Sequence, residues 1–207
     1  MLGVLPLSLI LFDALTGRLS VNPIQDIEQR LGRAALYFLV ASLSVTPVYT
    51  LTGWRSVLPR RRALGLYAFL YASLHFITFA AIDYGFDIQE IGRLIVEKPF
   101  ILLGLTTGLL LLPLAVTSFD YFIRTMGRKW KSLHRLVYAA GVTVIIHYAW
   151  AKKGDFFNLR GDILKPLLWG ALILVLLVLR IPAVRRGVSR VRQRIIGNGL
   201  IRRFAEK

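Results

Sequence analysis

The sequence predicts an all-α, polytopic membrane protein: a bundle of six transmembrane helices. Three observations carry this. Of the 207 residues, 56% are hydrophobic, and they fall into long runs without the strand-length alternation of an outer-membrane barrel. A run of roughly 20 apolar residues crosses the roughly 30 Å of a bilayer's hydrocarbon, and near-matches to that length recur along the chain. The 27 lysines and arginines collect between the runs, and they are densest at every second junction. That is the pattern of positive loops held on one side of a membrane, so the formal charge of +16 is read as anchoring and not as nucleic-acid binding.

The apolar runs place spans at residues 1–15, 34–51, 63–83, 100–118, 133–151 and 164–179. The first is short and contains Asp13. It is read as a span because no basic segment precedes it and no small-x-small cleavage site follows it. The stretches 53–62 (Arg55, Arg60, Arg61, Arg62) and 119–132 (Arg124, Arg128, Lys129, Lys131), together with Arg135 and the tail, hold 18 of the 27 basic residues. The opposite side holds Arg18, Arg30, Arg33, Arg93, Lys98, Lys152, Lys153, Arg160 and Lys165. This two-to-one bias predicts that both termini are cytoplasmic. Asp83, Asp87, Glu90 and Glu97 then gather in one outer loop.

Within the spans, Pro47 and Pro113 predict kinks. Gly104 and Gly108 form a small-xxx-small pair read as helix packing. No internal repeat is visible. Residues 1–182 are expected to form the membrane domain and 183–207 a basic amphipathic tail. In the tail, Val184, Val188, Val191 and Ile195 share one face, suited to an anionic leaflet.

The composition excludes several chemistries. There is no cysteine, hence no disulfide, thiolate metal site or iron–sulfur cluster. No glycine-rich phosphate loop, acid pair or nucleophile–base signature appears, so the chain is not expected to convert a substrate itself. The three histidines, His75, His134 and His147, fall inside the spans, where ionisable groups are costly and point to function. Neutral imidazole is a good ligand for haem iron. The bland alternative is a histidine hydrogen-bonded to a neighbouring helix, and a proton relay through His75, His147 and Asp83 is a third reading.

Depth follows from counting. His75 lies 13 residues beyond Arg62, and His147 lies 13 beyond His134, each about 20 Å deeper at 1.5 Å per residue. His75 and His147 therefore share a level in the outer half, able to bracket one iron between the third and fifth helices. His134 lies near the cytoplasmic edge without a histidine partner. Thirteen residues also rotate a helix by about 220°, so His134 and His147 do not share a face. Arg61 and Arg62 fall at the level of His134. They are either ordinary positive-inside charges or partners for haem propionates.

The run from Met126 to Tyr138 (MGRKWKSLHRLVY), continuing to His147 and Trp150, resembles the ferric-reductase-like transmembrane family. The resemblance is closest to the haem-binding membrane subunits of bacterial periplasmic methionine sulfoxide reductase systems. Gly32 to Leu36 with Val45 to Pro47, Arg61 to Leu66 with Leu74 to Phe76, and Lys98 to Phe100 with Leu114 to Ser118 resemble the same group. The resemblance implies b-type haem on His75, His134 and His147, with FMN as a further cofactor. It also implies electron delivery in the bacterial inner membrane to a periplasmic molybdopterin methionine sulfoxide reductase. Relatives in the wider family carry two histidines in the third span, whereas this chain has Arg61 and Arg62 at the second position. They also append a flavin and nicotinamide domain, where this sequence has only its tail. Electrons are therefore expected from the quinone pool or a soluble flavin reductase.

Overall fold

The computed structural model describes residues 3–152 and 163–205, with side chains as far as residue 194. Lys153, Arg160 and Lys207 of the charge pattern lie outside the described residues, as do the side chains of Ile195, Arg202 and Arg203. All regular structure among the described residues is helical. Helix α1 runs Leu5–Leu15, α2 Pro23–Thr52, α3 Arg60–Ile77, α4 Ile88–Glu97, α5 Pro99–Val116, α6 Asp120–Met126, α7 Arg128–Leu133, α8 Leu136–Ala151, α9 Leu164–Val178 and α10 Pro182–Ala205.

The ends of the long helices follow from local chemistry. Asn22 caps α2 by accepting from the Gln25 amide at 3.2 Å, and Pro23 sits where a missing N–H costs nothing. Gly53 ends α2 in the left-handed conformation at φ 78°, which glycine adopts without strain. Helix α3 continues beyond His75 as a π-helical turn, Thr78–Asp83. Such turns often mark functional segments of helices.

Two antiparallel hairpins dominate the packing, α2 against α3 and α5 against α8, with α9 closing on α8 and α2. Between them lies one apolar core, built from Leu36, Leu39 and Leu43 of α2, Ala68 of α3, Leu111 of α5, Ala140 of α8 and Ile173 of α9. The outer surfaces of these helices are also apolar. Leu109, Leu168 and Leu174 are each about 60% exposed, an arrangement unfavourable in water and expected against lipid.

The structure refines the six predicted spans. Among the described residues, three helical stretches are long and apolar enough to cross a membrane: α2, the stretch from Arg55 to Asp83 that contains α3, and α5. The bent pair α9 and α10 adds a fourth if counted as one span. The run at 1–15 forms only the 11 residues of α1, about 16 Å long and half the hydrocarbon thickness. It is held instead by tertiary contacts. Tyr71 donates its hydroxyl to the Gly3 carbonyl at 2.8 Å and accepts from the Leu7 amide at 3.2 Å. Asp13 pairs with Arg30, whose fork also grips Asp26, which accounts for a carboxylate in an apolar helix.

Two further expectations change. Part of the acidic outer loop is the amphipathic helix α4, capped by Asp87 and burying Ile91 and Leu94. The tail helix turns by 79° from α9 and packs on α2, where Arg192 donates to the Tyr49 and Thr50 carbonyls. Its valine face, Val184, Val188 and Val191, borders an apolar cleft shared with Leu51 and Thr52.

Candidate functional site

His75 stands near the C-terminal end of α3, and His147 four residues before the end of α8. Antiparallel packing of the hairpins brings the two rings together. Their centroids are 6.2 Å apart and their planes nearly perpendicular, at 75°.

Each ring is held in the same way. His75 Nδ1 lies 2.9 Å from the Glu28 carbonyl oxygen of α2, and His147 Nδ1 lies 2.7 Å from the Phe100 carbonyl oxygen of α5. A carbonyl only accepts, so both imidazoles carry the proton on Nδ1 and leave Nε2 with its lone pair. Each carbonyl lies 47 residues before its histidine, and each is followed four residues later by a glycine, Gly32 or Gly104, that faces the ring. The two hairpins thus hold their histidines at the same spacings.

These features bear on the haem expectation. Bonds of about 2.0 Å from two imidazoles pointing at one iron, with about 1.1 Å from each nitrogen to its ring centre, set the centroids about 6.2 Å apart. The 6.2 Å separation fits that arrangement. Among the described residues no group of three or more histidine, cysteine or carboxylate side chains could cage a metal ion. A two-ligand site suits an iron whose other bonds come from a macrocycle. Just past the π-helical turn that follows His75, burial and the Asp83, Glu90 and Glu28 carboxylates raise the Tyr84 phenol above its ordinary range. The Glu28 carboxylate is 4.0 Å from His75 Nε2.

His134 is not brought to this pair. It lies in the turn between α7 and α8, so the rotation argument for one straight helix does not apply. Its Nε2 is 3.2 Å from Thr117 Oγ1, and that hydroxyl donates to the Pro113 carbonyl, so His134 donates from Nε2. Trp130 stacks on its ring at 3.9 Å and bonds the Thr117 carbonyl through Nε1 at 2.8 Å. Arg62 is paired with Asp120 at 2.6 Å. Arg61 reaches Thr46 at 3.5 Å.

Sequence reasoning does not find Arg180, which donates to the Leu43 and Ser42 carbonyls in the middle of α2. The available signal is Pro47. It has no N–H, so the carbonyl four residues earlier, that of Leu43, lacks its helix partner. The small-xxx-small reading of Gly104 and Gly108 also changes. Gly104 faces the His147 ring, whereas Gly108 has open space around it.

An α-helical bundle with an apolar outer surface and a neighbouring pair of histidines on its hairpins defines a class, the polytopic membrane proteins with histidines inside their helices. The family model for the ferric reductase like transmembrane component matches residues 31–145, which include His75 and His134 and stop short of His147. A protein-methionine-sulfoxide reductase haem-binding subunit, MsrQ, of Herminiimonas arsenicoxydans is 39% identical, the match covering 86% of this chain and 80% of that protein. The MsrQ of Rhodospirillum rubrum is 41% identical over 82% of this chain and 79% of its own length. That of Ralstonia nicotianae is 36% identical over 97% and 89%. The chain belongs to the ferric-reductase-like transmembrane family and, within it, groups with these MsrQ subunits.

Proposed function

We propose that the chain is a membrane cytochrome b that takes electrons from quinol or a soluble flavin reductase. It delivers them to a periplasmic molybdopterin reductase that repairs oxidised methionine in proteins. The observation that carries this reading is the His75–His147 pair, with both Nδ1 atoms engaged by backbone and both Nε2 atoms left as ligands. The haem-binding function in the names of the relatives supports it.

In this reading His75 and His147 hold a b-type haem between α3 and α8 within a six-helix bundle of the inner membrane, with both termini cytoplasmic. Bound haem supplies a one-electron ferric–ferrous couple. The residues of the chain do the rest. The carbonyls of Glu28 and Phe100 orient the two imidazoles. Arg61 is the candidate partner for a haem propionate, while Arg62 is engaged by Asp120. His134 serves a second haem only if its bonds to Thr117 and Trp130 rearrange. The basic tail lies on the anionic inner leaflet.

The histidine geometry favours a ligand pair over a proton relay. A relaying imidazole exchanges protons at both nitrogens, and a Nδ1–H committed to a backbone carbonyl has no acceptor that can take its proton.

The test is spectroscopic. Protein purified from haem-sufficient cells should show a reducible b-type Soret band that His75→Ala or His147→Ala removes. A folded but colourless wild-type preparation would refute the reading. Electron donation to the purified reductase, with quinol and reduced flavin compared as donors, separates the two sources.

A further inference from the structure

The glycines opposite the two histidines sit at equivalent places. Each follows by four residues the carbonyl that its histidine engages, Glu28 before Gly32 and Phe100 before Gly104. A helical side chain leans toward the helix N-terminus and covers the turn before it. Any side chain at position 32 or 104 would therefore stand in the path by which the imidazole reaches that carbonyl.

The distances bear this out. A Cβ at position 104 would lie 2.8 Å from His147 Cε1 and 2.9 Å from Nδ1, closer than real contacts allow. At position 32 it would lie 3.3 Å from His75 Nδ1 and 3.4 Å from Cε1, tight but tolerable with a small shift. Gly108, one turn along α5 from Gly104, has nothing within 4 Å. Gly3 and Gly170 are crowded too, by Tyr67 and Ile145; what sets Gly32 and Gly104 apart is that each meets a histidine ring and follows by four residues the carbonyl which that ring engages.

We propose that Gly32 and Gly104 are positioning residues of the His75–His147 site. By leaving the helix surface bare, each lets an imidazole donate its Nδ1–H to a backbone carbonyl, which fixes the plane of the ring and the tautomer that presents Nε2. This rests on the haem reading above and adds how the chain sets the electronic properties of the ligands. A hydrogen bond at Nδ1 raises the basicity of the coordinating nitrogen. A more basic ligand favours ferric over ferrous iron and holds the midpoint potential low. The 75° between the ring planes predicts a strongly anisotropic low-spin ferric signal, because perpendicular imidazoles leave two iron d orbitals close in energy.

The experiment compares the haem-loaded wild type with Gly104→Ala, Gly32→Ala and Gly108→Ala by electron paramagnetic resonance and by redox titration. Gly104→Ala should shift the largest g value toward a less anisotropic pattern and raise the midpoint potential. Gly32→Ala should shift both in the same direction by less, and Gly108→Ala should overlay the wild type. If Gly104→Ala does not accumulate, the comparison of Gly32→Ala with Gly108→Ala still decides the matter. Haem-loaded Gly32 and Gly104 variants that match Gly108→Ala in both readouts would overturn the proposal and leave the haem reading standing. Loss of the haem reading has a different signature, a colourless wild type.

Discussion

Replacing Arg180 with alanine removes the group that holds α2 together where Pro47 interrupts it. The guanidinium donates to the Leu43 carbonyl at 2.8 and 3.2 Å and to the Ser42 carbonyl at 3.3 Å. It also lies over the Tyr138 ring at 5.6 Å. A hydrogen bond to a charged partner contributes about 1.5–3 kcal/mol, and leaving a buried carbonyl bare costs a similar amount. These describe one event, so Arg180→Ala is expected to destabilise the fold by about 2–3 kcal/mol. Pro47→Ala supplies the missing N–H, which bonds the Leu43 carbonyl within the helix. In that background the loss of Arg180 should cost at least about 1 kcal/mol less, a coupling of the size seen between groups sharing one network. Equilibrium unfolding of the four proteins in one mixed-micelle system measures this directly. Costs that add to within about 0.5 kcal/mol would refute the reasoning, because Arg180 would then not be answering the proline.

Three further outcomes are expected. His134→Ala should retain the wild-type haem content per protein, because its Nε2 is engaged by Thr117; loss of half the haem would assign a second group to His134. Trp130→Phe, which keeps the stacking on His134 but removes the bond to the Thr117 carbonyl, should cost about 1 kcal/mol in the same unfolding assay, and an unchanged midpoint would refute that role. Arg192→Ala removes a cation from the C-terminal carbonyls of α2 and should cost about 1 kcal/mol. It should also raise amide exchange at the Tyr49 to Gly53 turn, and unchanged exchange there would count against the capping role.

The sequence by itself determined what depends on local order along the chain. Apolar runs locate α2, α3, α5, α8 and α9 because a helix that must shield its backbone from lipid is written as a continuous stretch. Depth is legible for the same reason. At a fixed rise per residue, His75 late in α3 and His147 late in α8 are expected at similar levels, and their rings lie 6.2 Å apart. The tertiary structure decided what depends on the rotation and packing of separate helices. It paired Arg62 with Asp120 across 58 positions, took His134 off the helix into a clamp with Thr117 and Trp130, and shortened the first span to a helix pinned by Tyr71. It also turned the glycine motif at Gly104 into the seat of an imidazole. A residue's depth is one coordinate and follows from its place in the chain. Its partner across the bundle follows only from how the hairpins are turned toward each other, which is set by the whole core at once.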